Sequence, residues 1–249
     1  MLKLLRILLL GLAMVVVFVL GTLLCLVRPR HPNNVYLLGR LFHLACPLIG
    51  LKVRVRGREH VKGLESAIYI ANHQSNWDII THPGVLSPRT VAIGKNSLFW
   101  IPLFGPLFWL SGNLLINREN KAKAASTIGK VVEKIRSRRL SIWMFPEGTR
   151  SKGKGLLPFK TGAFHIALQA GVPIVPIACS SYFGQVDLNR WDNGEVLIDI
   201  MPPIDVSDCQ PSQLRDLLKQ SRKQIADGIA RLDGEARRPD TLTQSGAES

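Results

Sequence analysis

In the run Asn72-His73-Gln74-Ser75-Asn76-Trp77-Asp78 an imidazole stands five positions before a carboxylate. If the chain turns into a helix beyond His73, Asp78 can approach the ring, fix its tautomer and stabilise the imidazolium that forms when it takes a proton. That is the chemistry of a general base, although a histidine near an aspartate also commonly makes a purely structural hydrogen bond. A second run, Phe145-Pro146-Glu147-Gly148-Thr149-Arg150-Ser151, suits an anion. Its proline and glycine shape a turn that exposes backbone N–H groups, and Arg150 carries a planar fork matched to phosphate. Lys152, Lys154 and Lys160 either extend that positive field or form an ordinary solvated face.

Other chemistries lack their residues. The stretch 153–162 imitates a phosphate-binding P-loop, but Phe159 stands where a glycine must precede Lys160-Thr161. There is no GxSxG nucleophile elbow, which argues against a hydrolase-type serine acyl-enzyme. Cys25, Cys46, Cys179 and Cys209 form no CxxC pair, and the six histidines include neither HExxH nor a close pair, so no resident metal and no disulfide framework are expected. A reducing, cytosol-facing location fits this cysteine usage.

Both candidate runs follow short apolar segments, at 67–71 and 141–145, and loops leaving the ends of buried strands often build sites. A strand with one wet face is expected at 51–57, where apolar and basic residues alternate, and buried strands at 90–93, 113–116, 172–179 and 195–201, where short apolar stretches are bounded by Gly, Pro, Asn or Ser. Helix-length stretches lie between several of them, at 119–139 and 162–169, and a last helix is expected at 211–232. Strands alternating with helices predict an α/β layered sheet. Residues 234–249, polar and containing Pro239, read as a disordered tail.

The amino terminus has a different character. Residues 7–27 carry no charge, enough helix to cross a hydrocarbon layer of roughly 30 Å. The run exceeds the roughly 7–15 residues of a signal-peptide core, and no A-x-A-like cleavage site follows it. Lys3 and Arg6 precede it, while Arg28, Arg30 and Arg40 follow, which favours a cytoplasmic location for the remainder. Residues 33–51 form a second apolar segment with Arg40 and His43 on a narrow polar stripe. It reads as a helix lying in the interface or one covering the globular domain, and either a full crossing or a hairpin dipped into one leaflet fits the pair. The expected organisation is 1–51 membrane-associated helices, 52–233 an α/β domain, and 234–249 the tail.

Across 249 residues, 32 Lys and Arg oppose 18 Asp and Glu, a net charge of +14, so a polyanionic partner is expected. With 46% hydrophobic and 20% charged residues, a wholly disordered chain is disfavoured. No recognition-helix, RNP-type or zinc-finger signature accompanies the charge, and the apolar amino terminus makes little sense for nucleic-acid binding. A non-enzymatic membrane scaffold would leave His73, Asp78 and Glu147 without a purpose.

Gly112-Asn113-Leu114-Leu115-Ile116-Asn117-Arg118 and Val172-Pro173-Ile174-Val175-Pro176-Ile177 complete an ordered set, NHxxxxD, GxxxIxR, FPEGTRS and VPIVPI. Together these four blocks resemble the glycerolipid acyltransferase family, in particular its bacterial members acting on lysophosphatidic acid. Residues 95–105 and 156–167 share the likeness, which spans nearly the whole chain. The resemblance implies a mixed β-sheet flanked by helices with an N-terminal two-helix membrane motif, and no cofactor. It implies that His73 and Asp78 are the catalytic pair and that Arg118 and Arg150 bind the acceptor's phosphate. By the same likeness Glu147, Gly148 and Thr149 belong to the acceptor-site loop, while Lys95 is either an additional cation for that site or an ordinary surface lysine.

The activity it implies moves a fatty acyl group from acyl-CoA or acyl-acyl carrier protein to the 2-hydroxyl of 1-acyl-glycerol-3-phosphate, giving phosphatidic acid. The alternative is a relative that acylates another lysolipid or glycerol-3-phosphate. The resemblance places the protein at the bacterial inner membrane, with its catalytic domain on the cytoplasmic face and membrane lipids as partners. Arg136, Arg138, Arg139 and Lys152 offer a face to the acidic carrier protein, coenzyme A phosphates or anionic lipid. Trp100, Phe104, Phe108 and Trp109 line an acyl groove, touch lipid or fill the core.

Overall fold

The computed structural model describes residues 1–116 and 121–236. Leu2–Val27 forms α1, and Asn34–His43 forms α2. The apolar segment expected to continue to 51 breaks after α2, where Pro47–Ile49 makes one 3-10 turn and Gly50 takes φ 71°. A Cβ on Gly50 would stand 2.3 Å from the Trp191 carbonyl oxygen, so only glycine fits this approach.

From there strands and helices alternate in chain order: β1 Lys52–Arg56, β2 Ile68–Ala71, α3 Asp78–Thr81, β3 Thr90–Lys95, α4 Phe104–Leu110, β4 Leu114–Ile116, α5 Lys121–Arg138, β5 Ser141–Met144, α6 Gly162–Ala170, β6 Ile174–Cys179, β7 Glu195–Ile200 and α7 Leu214–Ala236. The helices α3 and α4 were hidden in loop and apolar stretches of the sequence. The strands form one sheet in the order β1-β7-β6-β2-β5-β3-β4. All neighbours are parallel except β6 and β7, so the sheet is mixed, as expected.

Central strands such as Ile68-Tyr69-Ile70-Ala71 are buried on both faces and show no alternation, whereas edge strand β1 alternates, with Lys52, Arg54 and Arg56 outward. Ile68, Ile70, Ile142 and Met144 pack in one core with Val131, Ile135, Phe164 and Leu217 of α5, α6 and α7. Tyr69, Ala71, Trp143 and Ile177 on the opposite face meet Ile49, Leu51, Ile80, Val85 and Tyr182. Helices and loops therefore cover both faces, leaving the strand ends as places for a site. The final helix runs to Ala236, beyond the expected start of the tail at 234, because Leu232 is fully buried against Ala178 and Leu197. Residues 237–249 of that expected tail lie outside the described residues.

Against the domain lies α1, which presents Arg6, Val17, Gly21 and Cys25 as its buried stripe. Gly21 admits Leu38 of α2 and Leu107 of α4, whose methyl carbons would stand 2.8 and 3.0 Å from any Cβ there. Leu8, Leu12, Val15, Val19, Leu23 and most of the remaining face are exposed. The helix α2 covers the domain with one face and leaves its other face exposed. Val35 and Leu38 are buried and His43 Nδ1 lies 3.0 Å from the Ile80 carbonyl oxygen, while Leu37, Leu41 and Leu44 are exposed. Trp100 and Trp109 are exposed and so are not core.

Candidate active site

The site begins where β2 ends. Asn72 replaces the next ladder step with its side chain: Nδ2 donates to the Cys179 carbonyl at 2.9 Å, and Cys179 N–H donates to Oδ1 at 2.8 Å. This locks the exit of β2 to β6 and sends His73 into the loop. The loop then curls around one carboxylate oxygen. Asp78 Oδ2 accepts from the backbone N–H of Gln74 at 2.8 Å and of Ser75 at 3.1 Å, and lies 2.5 Å from His73 Nδ1. Asp78 Oδ1 accepts a hydrogen bond from the Tyr182 hydroxyl.

Burial opposes charge on Asp78, but nearby His82 and the hydrogen bonds from His73 and Tyr182 outweigh it and hold the carboxyl below its ordinary value. An ionised Asp78 can only accept, so His73 carries its proton on Nδ1 and keeps its lone pair on Nε2. The His73 ring stacks on Phe145 with centroids 4.0 Å apart and planes at 10°, which fixes its orientation. With Asp78 only 1% exposed and His73 22% exposed, the acid is sealed in while the base stays accessible. This is the arrangement of a positioned general base.

The 145–151 loop leaves β5, the strand beside β2, and runs alongside the histidine loop. Ser151 N–H donates to the His73 carbonyl at 2.8 Å, and Lys152 N–H to that of Gln74 at 3.2 Å. Glu147 points inward: Oε1 accepts from His73 N–H at 2.7 Å and Oε2 from Leu157 N–H at 2.9 Å. Burial pushes its carboxyl up despite those two donors. Glu147 thus braces three segments through their backbone. Gly148 adopts φ 72°, and the Lys160 side chain lies across it, with Nζ 2.9 Å from where a Cβ would be. Thr149 and Arg150 are exposed.

A cavity of about 750 Å³ opens beside this loop pair. Gln74 to Trp77 and Ile79 border it on one side, Arg150 and Lys152 on another. Its apolar wall comes from α1 and α2, including Leu10, Met14, Leu41 and Phe42. One cavity therefore joins the cations Arg150 and Lys152 with an apolar trough against the amino-terminal helices; His73 does not line it, but the next residue of its loop, Gln74, does. Lys95 is exposed at the end of β3, on the same sheet edge but two strands from β2. Arg118 lies outside the described residues. Among the described residues no group of three or more His, Cys, Asp and Glu side chains is placed to hold a metal ion.

Asn72, Gln74 and Tyr182 were given no role by spacing. The Gln74 Nε2 donates to the Ser180 carbonyl at 2.7 Å, and its Oε1 accepts from Tyr182 N–H at 3.0 Å. Polar side chains directly after a buried strand were a usable signal for the first two. Tyr182, 104 residues beyond Asp78, carried none.

Residues 52–180 match the family described as Acyltransferase. A Salmonella typhimurium relative named 1-acyl-sn-glycerol-3-phosphate acyltransferase is 51% identical over 221 residues, 89% of this chain and 90% of its own. A Haemophilus influenzae protein of the same name is 49% identical over 235 residues, covering 94% and 98%. The crystal structure of the 1-acyl-sn-glycerophosphate (LPA) acyltransferase from Thermotoga maritima superposes with a TM-score of 0.63 at 25% identity, covering 81% of this chain and 79% of that one.

Proposed function

The chain belongs to the acyltransferase family, and on that premise we infer that it transfers a fatty acyl group from a thioester to the 2-hydroxyl of 1-acyl-glycerol-3-phosphate, giving phosphatidic acid. We propose that His73 and Asp78 carry the reaction. As the 2-hydroxyl oxygen attacks the thioester carbonyl, its proton passes to His73 Nε2. The C–O bond forms, the C–S bond breaks, and the imidazolium returns the proton to the departing thiolate. Asp78, held by four donors, keeps the ring in register and stabilises its cation. A base of this kind contributes about 10²- to 10⁴-fold, with the remainder from positioning and oxyanion stabilisation. The 2.5 Å contact between a sealed carboxylate and an accessible imidazole is the observation that carries this reading.

Arg150, with Lys152 behind it, binds the phosphomonoester, and Arg118 supplies a second guanidinium. The acceptor's acyl chain lies in the trough formed by α1 and α2. Acyl-CoA and acyl-acyl carrier protein both present the thioester this step needs.

The protein is membrane-associated: α1 is long and apolar, and its exposed face has no cover among the described residues. We propose that α1 lies in one leaflet of the inner membrane, with the catalytic domain on the cytoplasmic face. Two attachments support this. Near its start Arg6 is buried and donates to the carbonyls of Leu188 at 3.3 Å, Trp191 at 2.9 Å and Arg190. Near its end Cys25 is buried and Asn34 Nδ2 caps the Arg28 carbonyl at 2.7 Å. These contacts favour α1 lying along the protein over α1 crossing the bilayer. Trp100 and Trp109, exposed beside α4, suit the headgroup level.

Purified protein incubated with lysophosphatidic acid and an acyl thioester should yield phosphatidic acid and free thiol in equal amounts. Acylation of glycerol-3-phosphate but not of lysophosphatidic acid would overturn the assignment, and a stable acyl-enzyme trapped from donor alone would overturn the single displacement.

A further inference from the structure

We propose that Tyr182 is a positioning residue of this site, the last link of a buried hydrogen-bond chain that runs from His82 through Thr81 to Oδ1 of Asp78. The inference rests on His73 being the base. The residues are 0–3% exposed and the contacts are direct. His82 Nδ1 lies 3.1 Å from Thr81 Oγ1, Thr81 Oγ1 lies 3.2 Å from the Tyr182 hydroxyl oxygen, and the hydroxyl meets Asp78 Oδ1.

The protons set the polarity of this chain. An ionised Asp78 offers only lone pairs, so the single Tyr182 proton points to it. Thr81 must then give its own proton to the Tyr182 oxygen, and its lone pair is left to accept from His82 Nδ1–H. His82 Nε2, bare in that tautomer, is buried without a partner. Each donor in the series therefore points towards Asp78. The effect on turnover comes through geometry, and the effect on the pH profile through charge. With Oδ1 occupied by Tyr182, Oδ2 is held for His73 and the two loop N–H groups, and a share of the carboxylate's charge is taken up away from the imidazole.

The titratable groups facing Asp78 are His73 and His82, Tyr182 and Cys179 at the end of β6, and Glu147 from the neighbouring loop. Burial pushes Tyr182 and Cys179 up and His82 down. Glu147 turns both oxygens to backbone N–H groups.

Tyr182→Phe removes the hydroxyl and keeps the ring. Its kcat should fall by about 10- to 100-fold with KM for lysophosphatidic acid within about twofold. The acid limb of kcat/KM should move to higher pH, because the less neutralised carboxylate binds the imidazolium more tightly. Thr81→Val, which removes the donor behind the tyrosine, should shift both in the same direction by less, and serves if Tyr182→Phe does not fold. A lowered melting temperature with wild-type kcat and an unmoved profile in either folded variant would make the chain merely structural and overturn the proposal. Retained turnover in His73→Ala would instead remove the base itself, a distinct failure.

Discussion

Asp78→Asn preserves shape and removes charge, and the structure dictates how the amide must sit. Three donors surround the Oδ2 position, His73 Nδ1 at 2.5 Å, Gln74 N–H at 2.8 Å and Ser75 N–H at 3.1 Å. The amide oxygen has to take that place, leaving the NH2 group towards Tyr182, whose hydroxyl oxygen can accept in turn. The loop therefore keeps its hydrogen bonds, and the loss is confined to their charge-assisted part. A hydrogen bond to a charged group is worth about 1.5–3 kcal/mol against about 1 kcal/mol for a neutral one, so the difference is about 0.5–2 kcal/mol. At 1.36 kcal/mol per decade, kcat/KM should fall by about 2- to 30-fold. With less support for the imidazolium, the acid limb of the profile should move to lower pH. Stability changes with its own sign. The wild-type carboxyl is held below its ordinary value of 3.8, so its stabilisation is present above that value and lost as pH falls towards the lower folded value. The Asn variant should lack that acid-labile component. The assay is phosphatidic acid formation across pH with melting temperatures measured in parallel. A folded variant with wild-type kcat/KM and an unmoved acid limb would refute the role of the charge.

Arg150→Ala should raise KM for lysophosphatidic acid by about 10- to 100-fold with a smaller change in kcat, as expected for a lost charge-assisted phosphate contact; unchanged acceptor affinity by direct binding would remove the clamp. Glu147→Gln leaves one of two buried N–H groups facing an amide donor, which should lower the melting temperature by roughly 3–10 °C. Because burial raises the Glu147 carboxyl above 4.5, its stabilising contribution is present below that value and lost as pH rises through the raised one, a dependence the Gln variant should lack. Arg6→Ala releases the start of α1, so limited proteolysis should cut the 187–191 loop faster; an unchanged pattern would show that the helix is held elsewhere. Burial pushes Cys46 up to about 12 and Cys179 upward as well, so a thiol alkylator near pH 8 should label partly exposed Cys209 first, and early labelling of Cys46 would contradict its buried position.

Periodicity carried most of the fold because it records burial directly. The doubly buried runs at β2 and β5 and the alternation at β1 could be read without knowing their neighbours. The break after His43 and the single turn at α3 were less visible, since they depend on Pro47, on the Gly50 approach to Trp191 and on a carboxylate closing a loop. His73 and Asp78 were legible because their partnership is local, spanning one turn. Glu147 was legible as a residue, but its direction was not: both oxygens face backbone, which only the parallel placement of β2 and β5 decides. Tyr182 was silent, for it reaches Asp78 through a loop that follows β6.

The central claim is that the His73 imidazole takes the acceptor's proton. The decisive measurement is phosphatidic acid formation by purified His73→Ala, matched to wild type in melting temperature and in binding of lysophosphatidic acid. Turnover should fall by at least about 10²-fold while both binding and folding persist. A folded variant that binds the acceptor and turns over within a few-fold of wild type would place the base elsewhere.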